Sequence, residues 1–429
     1  MTENTKLALS GLRVLDFTWV YAGPFATRQL ADLGAEVIKI EPRVTGALER
    51  RFYRVTNRNG VLQSSYAMSL NRGKKSVSID LRNKKGFSII SDLIKKSDII
   101  ISNMAPGAMK SLGFGYDDVK EINPKIIYCS ISCFGQTGSY ANEPGFDIIA
   151  QAASSWCGQV DPPAVAPVAI GDANAGIHAV AAILAALYYR EKTNKGQEID
   201  LSMTDCLFHL NENTGPAYLF SDREIECTPG ASHGGRWATA YSPYALIKGR
   251  DGLIAIAALS DLLWGKLVAT MGKGYEWLLT DPRTKELVTR MMSESATFVH
   301  ETLEEWVSKF ESVRDVEKLL RDAGVPSMRV KKFDEAVDAP YIREREMIVK
   351  IKQPFIGEVE TYGSPFKMSE TPGRATGHAP LIGENTVDVL SNLLGISQEE
   401  IDKLLEENVL YMEEAVTRLD EEKKRLRIK

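Results

Sequence analysis

The chain has 429 residues, of which 44% are hydrophobic and 25% are charged, a composition typical of one large or two ordinary globular domains. Its formal net charge of -5 leaves no general excess of Lys and Arg, which argues against a nucleic-acid-binding protein. No apolar signal segment follows the first residues, and the longest apolar run, 179–189, is too short for a membrane span. We therefore expect a cytoplasmic protein that binds neither nucleic acids nor membranes.

The first half of the chain alternates short apolar strands with helical segments. Residues 12–17 and 36–41 are predicted strands on either side of a helix at 24–33, and the alternation recurs up to residue 132. An apolar helix at 173–189 and a strand from residue 198 continue it. Strands that alternate with helices form a parallel sheet covered on both faces, so the pattern predicts a Rossmann-like α/β domain.

The pattern changes in the second half of the chain. Apolar runs at 241–247 and 253–258 flank a Gly-Arg-Asp-Gly sequence, which is typical of a hairpin turn rather than of a crossover. We therefore expect a large domain in residues 1–224, a smaller α+β domain in 225–326, and a linker with a C-terminal segment in 327–429.

The usual metal-binding and catalytic motifs are absent. Five cysteines lack CxxC spacing and five histidines are scattered, whereas zinc sites and disulfide frameworks need such spacing or pairing. The phosphate and nucleophile motifs GxGxxG, GxxxxGK[ST], GxSxG and HExxH do not occur either. We expect reduced thiols and no bound metal.

One local pattern stands out at the start of the apolar helix, where Asp172 lies in the sequence GDANAG. An Asp in this position is most often an N-cap, whose carboxylate accepts hydrogen bonds from the first backbone N–H groups. A carboxylate at a helix N-terminus also stays ionised, and free amides beside it could hold an oxyanion. The residues alone leave both interpretations open.

Four loops are candidate ligand-binding segments, although each also has an ordinary structural interpretation. Residues 15–24 form the first β–α turn, where helix N-termini bind phosphorylated ligands in such folds. The basic cluster 71–75 could meet a nucleotide phosphate or merely protect a strand edge. Residues 103–108 form a turn with Pro and Gly, and the glycine-rich segment 230–235 is either a cover or a linker.

Taken together and in this order, these segments resemble the family III CoA-transferases, the group that includes formyl-CoA transferase and carnitine CoA-transferase. The matching segments are LRVLDFTWVYAGP, LADLGAEVIKIEP, LNRGKKSVSIDL, NMAPGAMKSLGF, NPKIIYCSISCFGQTG, GDANAGIHAVAAILAALYYREKTNKGQEIDLSM, AGVPSMRV and APLIGENTVDVL. The resemblance covers nearly the whole chain and implies CoA transfer between carboxylic acids, with acyl-CoA as a substrate and no tightly bound cofactor. It also implies that the C-terminal segment folds back onto the large domain and that two chains interlock as linked rings.

The resemblance assigns functional residues by position. It places the family's nucleophilic aspartate on Asp172, four residues before Gly176, as the carboxylate that forms an acyl anhydride and then a CoA thioester. The implied CoA contacts are Val20, Tyr21, Ala22, Ile79, Leu81, Asn103, Met104 and Ala108, to which we add Arg43 and Lys75 as candidate phosphate contacts. Gly234 and Gly235 would belong to the loop that covers the site.

Two positions depart from formyl-CoA transferase. The chain has Tyr21 and Phe146 where that enzyme has a glutamine and a tyrosine around the reacting acyl group, so a formyl or oxalyl substrate is not expected. Together with Trp19, these side chains predict an apolar acyl pocket that favours aliphatic or aromatic acids.

Two alternatives remain open. A 2-methylacyl-CoA racemase shares the fold but uses an Asp and a His to exchange a proton, and Phe146 occupies the position of that histidine here. Phenylalanine cannot act as an acid or base, which favours transfer. A non-catalytic subunit of a heteromeric transferase would not need a carboxylate at position 172, so Asp172 favours a catalytic chain. An intertwined homodimer and a heteromer with a homologous chain are both compatible with the sequence.

Overall fold

The computed structural model describes residues 6–56, 60–159, 162–212, 214–220 and 242–428. Internal contacts divide the chain into two units. The first comprises Met1–Ser154, Pro167–Leu210 and Ala339–Lys429, and the second comprises Ser155–Ala166 and Asn211–Asp338. The sequence-derived domain limits, at residues 225 and 326, stay a prediction about the parts that fold independently.

The strands in chain order are β1 (Arg13–Phe17), β2 (Glu36–Glu41), β3 (Arg54–Thr56), β4 (Leu62–Ser64), β5 (Lys75–Ile79), β6 (Ile99–Ser102), β7 (Ile127–Ser132), β8 (Gln197–Ser202), β9 (Tyr244–Lys248), β10 (Leu253–Ala257), β11 (Ser327–Arg329), β12 (Ile348–Gln353), β13 (Gly357–Tyr362) and β14 (Leu410–Tyr411). The α-helices are α1 (Ala22–Asp32), α2 (Ser65–Asn71), α3 (Lys84–Lys95), α4 (Ala108–Ser111), α5 (Tyr116–Ile122), α6 (Asp147–Ala153), α7 (Ile170–Thr193), α8 (Met203–Phe208), α9 (Thr214–Leu219), α10 (Asp261–Met271), α11 (Leu287–Arg290), α12 (Ser293–Val307), α13 (Val313–Asp322), α14 (Phe333–Val337), α15 (Pro340–Arg343), α16 (Thr386–Leu394), α17 (Gln398–Glu406) and α18 (Leu419–Leu426).

The first unit is built around a seven-stranded sheet in the order β14-β5-β2-β1-β6-β7-β8. Its members are parallel except for β14. β6 is a run of Ile and Ser that is buried throughout, as expected for a parallel strand covered on both faces. From β1 the chain adds β2 and β5 on one side and then crosses over to add β6, β7 and β8 on the other. The predicted Rossmann-like sheet is confirmed.

The helix α7 connects β7 to β8 and packs against α1, α6 and α8. By length and composition alone its 24 residues could cross a membrane, and half of the most apolar stretch is buried within the chain. A buried apolar helix at the centre of a domain meets the same description. The helix is longer than the predicted 173–189, because it begins at Ile170 and continues through the polar residues 190–193.

The C-terminal part of the first unit completes the large sheet. β14 pairs with β5, with Leu410 opposite Ile79, and α16 packs against β5 and α3. Asn385, just before α16, accepts a hydrogen bond from the Ser76 N–H at 2.9 Å. The last ninety residues are thus tied to the strand that ends beside the predicted ligand site.

The second unit contains an antiparallel sheet in the order β11-β10-β9. β9 and β10 form the predicted hairpin, with Lys248 opposite Leu253. Its core includes Trp264 from α10, Leu303 from α12 and Leu320 from α13, all buried. An α+β arrangement in this part of the chain agrees with the change of pattern in the sequence.

Candidate active site

The carboxyl ends of β1 and β6 meet at the edge of the sheet where ligands bind in this type of fold. The connections that leave these neighbouring strands run to opposite sides of the sheet, and doubly wound sheets bind ligands in the crevice that results. The Trp19 N–H donates to Asn103 Oδ1, and Asn103 Nδ2 donates to the Trp19 carbonyl, each at 2.7 Å. The side-chain amide of Asn103, a predicted CoA contact, therefore joins the two loops that follow these strands.

The first loop bends sharply at Val20, which has a φ of 65°. This left-handed conformation is rare for a β-branched residue and is strained. A hydrogen bond of 3.0 Å from the Val20 N–H to Glu49 Oε2 holds it. Because α1 begins at Ala22, directly after the bend, the unpaired N–H groups of its first turn lie at this edge of the sheet.

A buried ionic cluster supports the first loop from below. Lys74 Nζ pairs with Asp16 at 3.0 Å, and Lys39 Nζ pairs with Glu49 at 3.0 Å, with all four side chains fully buried. Lys39 also donates to the Thr18 carbonyl at 2.7 Å, which fixes the loop. Burial opposes ionisation of Asp16, but the charges of Lys39 and Lys74 outweigh it and lower the pKa of this carboxyl. Burial lowers the pKa of Lys74 to about 8.

Asp172 lies in the first turn of α7, and its carboxylate faces the N-terminus of α1. The Ala22 N–H hydrogen-bonds this carboxylate. Loss of solvent and the negative charge of Asp147 outweigh that hydrogen bond and raise the pKa of Asp172 to about 7. The site therefore holds a partly buried carboxylate that accepts a hydrogen bond from the first amide of α1, with a proton affinity well above that of an ordinary aspartate.

The structure excludes the N-cap interpretation of Asp172, because α7 begins two residues earlier, at Ile170. Asp147 binds the first amides of α7 instead: its Oδ1 accepts hydrogen bonds from the N–H groups of Gly171 at 2.7 Å and of Asp172 at 3.1 Å. Gln151 donates to the other oxygen of Asp147 at 2.6 Å. Because Asp147 does the capping, the carboxylate of Asp172 is available for chemistry.

The close approach of α7 to α1 depends on Gly176. A Cβ at this position would lie 2.8 Å from the Ala22 carbonyl oxygen and 3.0 Å from Phe25 Cδ1. Real side chains do not tolerate such a contact with backbone, so only glycine fits. Since Gly176 lies one turn after Asp172, this contact sets the distance between the carboxylate and the first turn of α1.

Aromatic rings line one side of the Asp172 carboxylate. Tyr21 stacks on Phe25 with ring centroids 5.4 Å apart and on Tyr66 at 5.9 Å. Phe52 meets Tyr66 edge to face at 6.1 Å. Burial raises the pKa values of the Tyr21 and Tyr66 phenols, and the charge of Asp172 raises both further, so both phenols lie near the carboxylate. Tyr66 and Phe52 are members of this wall that the sequence analysis did not identify.

The predicted contacts with the adenine and its neighbours lie at the same edge of the sheet. Ile79 ends β5 with only 1% of its surface exposed, so its side chain belongs to the core. Met104 is partly buried against that core, and Ala108 begins α4 after Gly107, which has a φ of 79°. A cavity of about 360 Å³ lies beside Leu81 and is lined by Leu81, Arg82, Lys84, Phe87, Ser111 and Leu112. Arg82 and Lys84 are cations of this edge that the sequence analysis missed.

The two candidate phosphate contacts, Arg43 and Lys75, lie at the carboxyl edge and the amino edge of the sheet, respectively. Arg43 follows β2 at the carboxyl edge and donates to Asn408 Oδ1 at 2.6 Å, and its buried Nε has no partner in the described part of the chain. Lys75 begins β5 at the amino edge, where its Nζ pairs with Glu36 at 2.9 Å and with Asp388 at 2.8 Å. Lys75 is the first residue of β5 and therefore lies at the amino edge of the sheet. The candidate site lies at the carboxyl edge, so the structure does not bring Lys75 to it.

The remaining predicted site residues are Phe146, Gly234 and Gly235. Phe146 precedes the capping residue Asp147, and its side chain is 72% exposed. Gly234 and Gly235 lie outside the described residues. Among the residues that are described, no group of three or more His, Cys, Asp or Glu could hold a metal ion.

The profile of CoA-transferase family III matches residues 9–386, and the chain belongs to this family. Its relatives are named CoA-transferases, so the protein is an enzyme of this kind. It is 33% identical to formyl-CoA:oxalate CoA-transferase of Streptomyces avermitilis, over 94% of this chain and 98% of the relative. It is 31% identical to human succinyl-CoA:glutarate CoA-transferase, over 96% of this chain and 92% of that enzyme. A third relative, 30% identical, is the beta subunit of succinyl-CoA–L-malate CoA-transferase of Chloroflexus aurantiacus, with 95% of this chain and 99% of the subunit covered.

Solved structures have the same fold. A CAIB/BAIF family protein from Brucella suis matches with a TM-score of 0.76 and 28% identity, covering 90% of this chain and 100% of that one. A protein from Mycobacterium tuberculosis matches with a TM-score of 0.77 and 27% identity, covering 90% of this chain and 99% of that one. These matches agree with the α/β class predicted from the sequence.

Proposed function

We propose that this enzyme acts in the cytoplasm and moves CoA from an acyl-CoA donor to a second carboxylic acid through covalent intermediates on Asp172. The Asp172 carboxylate attacks the thioester carbonyl of the donor, the carbon–sulfur bond breaks, and an acyl-aspartyl anhydride and CoA thiolate result. The thiolate then attacks the aspartyl carbonyl of the anhydride. This step releases the donor acid and leaves CoA bound to Asp172 as a thioester.

The second half of the reaction repeats these steps in reverse. The acceptor carboxylate attacks the aspartyl thioester, which expels CoA thiolate and forms a new anhydride. The thiolate then attacks the acceptor acyl carbon, so a new acyl-CoA leaves and the Asp172 carboxylate is restored. Each intermediate keeps the acyl group activated, and water must be excluded because it would hydrolyse the anhydride.

The observation that carries this proposal is the carboxylate of Asp172 beside the N-terminus of α1. The partial positive charge of a helix N-terminus stabilises the oxyanion that forms when a carbonyl is attacked, and the Ala22 N–H is the nearest such donor. The raised pKa also supports the role, since a more basic carboxylate is a stronger nucleophile once it is ionised. Exchange should therefore become faster as the pH rises through about 7.

CoA would follow the carboxyl edge of the sheet from Asp172. We assign its contacts to the first loop and the loop after β6, with Arg43 as a phosphate contact and with the cavity beside Leu81 for the adenine. The predicted contacts kept in this proposal are Val20, Tyr21, Ala22, Leu81, Asn103, Met104 and Ala108. Arg82 and Lys84 replace Lys75 as further cations at this edge.

The racemase alternative needs a histidine opposite the aspartate. Within the described residues, the charges that shift the pKa of Asp172 include Asp147 but no histidine. His178, six residues further along α7, uses its Nδ1 in a contact of 2.9 Å with the Asn174 carbonyl. Phe146 stands at the position of the racemase histidine, and its side chain has no group that could accept or donate a proton. Transfer is therefore the better supported reaction.

A second copy of the chain would cover the apolar side chains that the single chain exposes on α6, α7 and α8. Ile148 is 54% exposed, Ile177 52% and Phe208 61%, and all three belong to the first unit. These three helices pack against one another, and clustered exposed apolar side chains are typical of an interface. We therefore expect sedimentation equilibrium of the 47.5 kDa chain alone to give about twice that mass. A monomer that associates only with a homologous chain would support the heteromer instead.

The exchange reaction can be tested with one acyl-CoA donor, a panel of carboxylic acids and deuterated water. Mass spectrometry should detect a new acyl-CoA for each accepted acid, without deuterium at the α-carbon of the donor. Acids with two or three more CH₂ groups than oxalate should have kcat/KM values about 10-fold higher or more, because the aromatic wall gains contact with each CH₂. Preference for formyl-CoA with oxalate would refute the predicted apolar pocket, and deuterium uptake without transfer would support the racemase.

A further inference from the structure

Arg28, on α1, is a buried cation beside the aromatic wall, and no carboxylate among the described residues forms an ion pair with it. The residue is 9% exposed. Its Nη1 donates to the carbonyl and the hydroxyl oxygen of Ser69, at 3.2 and 3.3 Å, and its guanidinium lies over Phe25, 4.8 Å from the ring centroid. Its buried Nε has no hydrogen-bond partner. The guanidinium therefore has donors that the described residues do not use.

A second buried arginine nearby, Arg72, has the carboxylate partner that Arg28 lacks among the described residues. Arg72 forms a bidentate ion pair with Asp32 and also donates to the Tyr362 carbonyl at 3.2 Å. Asp32 is thus engaged by Arg72, and burial together with the charge of Arg72 lowers the pKa of Arg28. A buried charge without a counter-ion is costly, so an anion that reaches Arg28 would be bound strongly.

Tyr21 connects Arg28 to the reacting carboxylate. Its phenol responds to both charges, because Arg28 lowers and Asp172 raises its pKa. Tyr21 stacks on Phe25, whose ring lies against the Arg28 guanidinium, and on Tyr66, whose phenol lies near Asp172. Tyr21, Phe25 and Tyr66 are each partly exposed, so a ligand can reach these rings from solvent.

We propose that Arg28 binds the second carboxylate of a dicarboxylic acid whose first carboxylate reacts at Asp172. This inference rests on the proposed role of Asp172. The planar guanidinium binds a carboxylate through parallel hydrogen bonds, and Arg28 has donors to spare for it. The rings of Tyr21 and Tyr66 pack against the carbon chain that links the two acid groups. Oxalate is too short for this arrangement, because its two carboxylates are bonded directly to each other.

The test compares acids of equal chain length with one or two carboxylates. Succinate, glutarate and adipate are measured against butyrate, valerate and hexanoate, with one acyl-CoA donor held constant. The wild-type enzyme should have a lower KM for each dicarboxylate than for its monocarboxylate partner. Arg28→Met should raise the dicarboxylate KM by about 10- to 100-fold, the range expected for loss of a charged hydrogen bond, and leave the monocarboxylate KM within about twofold. Arg28→Lys should restore part of the preference.

The comparison within one variant separates binding from folding, because any loss of folded enzyme affects both acids equally. Arg190→Met is the matched control: Arg190 is equally enclosed, with 12% of its side chain exposed, but it pairs with Asp98 at 3.1 Å at the amino edge of the sheet. It should leave the ratio of the two KM values unchanged. An unchanged ratio in Arg28→Met, or a wild-type enzyme that prefers monocarboxylates, would overturn the role of Arg28 while CoA transfer stands. Absence of exchange with every acid would overturn the proposed function as well.

Discussion

Asp172→Asn should abolish CoA exchange, with a loss of about 10⁴-fold or more in kcat, and should change the Kd for CoA by no more than a few-fold. The amide has the size of the carboxylate but is a far poorer nucleophile, so no anhydride can form. CoA is held by loops that follow other strands, and Asp172 enters only the covalent steps. Exchange kinetics and calorimetric titration with CoA measure the two effects separately.

The same substitution should stabilise the fold in a pH-dependent way. Burial and Asp147 raise the pKa of Asp172 from 3.8 to about 7, above its value in the unfolded chain. The buried carboxyl therefore costs nothing below pH 3.8, where both states are protonated, and its cost grows until the pH reaches about 7. At pH 8, Asp172→Asn should raise the free energy of unfolding by up to about 4 kcal/mol, at about 1.4 kcal/mol per pKa unit. Near pH 4 the gain should vanish.

Asp205→Asn is the matched control for this prediction. Asp205 also lies in the first turn of a helix, α8, but it is exposed. It should change neither the exchange rate nor the pH dependence of stability. If Asp172→Asn exchanged CoA at a rate near that of the wild type, another group would have to be the nucleophile.

Asp16→Asn should destabilise the enzyme by about 3 to 5 kcal/mol, the cost of breaking a buried ion pair on one side only. Asp16 is fully buried and pairs with Lys74 at 3.0 Å. Without its charge, Lys74 and Lys39 share a buried site with Glu49 as the nearest remaining anion. Denaturant unfolding measures the change directly.

A double variant distinguishes charge balance from packing at this position. Asp16→Asn with Lys74→Met removes one charge of each sign, so it should be more stable than Asp16→Asn alone. Asp117→Asn removes an exposed carboxylate that pairs with Lys120 on the helix surface, and it should have no measurable effect. A double variant as unstable as the sum of the single ones would mean that the two charges do not interact.

The sheet and its helices could be predicted because their residues follow local patterns of apolar spacing. The function of Asp172 came from resemblance, and the local pattern alone favoured an N-cap. That interpretation failed because the capping group, Asp147, lies 25 residues earlier, and the sequence contains no signal for such a pairing. The start of α7 at Ile170 follows from that distant hydrogen bond.

The basic cluster shows a second limit of the sequence. Lys74 and Lys75 are adjacent and look alike, yet Lys74 is fully buried against Asp16, 58 residues away, while Lys75 is partly exposed at the amino edge. Pairings across such distances leave no periodic pattern. A local signal did exist for the buried cluster: Lys39 interrupts the apolar residues 37–40 of β2 and Glu41 follows them, and charges in such a strand need buried partners.

Covalent trapping of the enzyme tests the central claim most directly. The enzyme is incubated with an acyl-CoA donor, reduced with borohydride or treated with hydroxylamine, and digested for peptide mass spectrometry. We expect modification at Asp172 alone, and none in Asp172→Asn. Modification of another side chain, or an unmodified enzyme that still exchanges CoA, would contradict an aspartyl intermediate at this site.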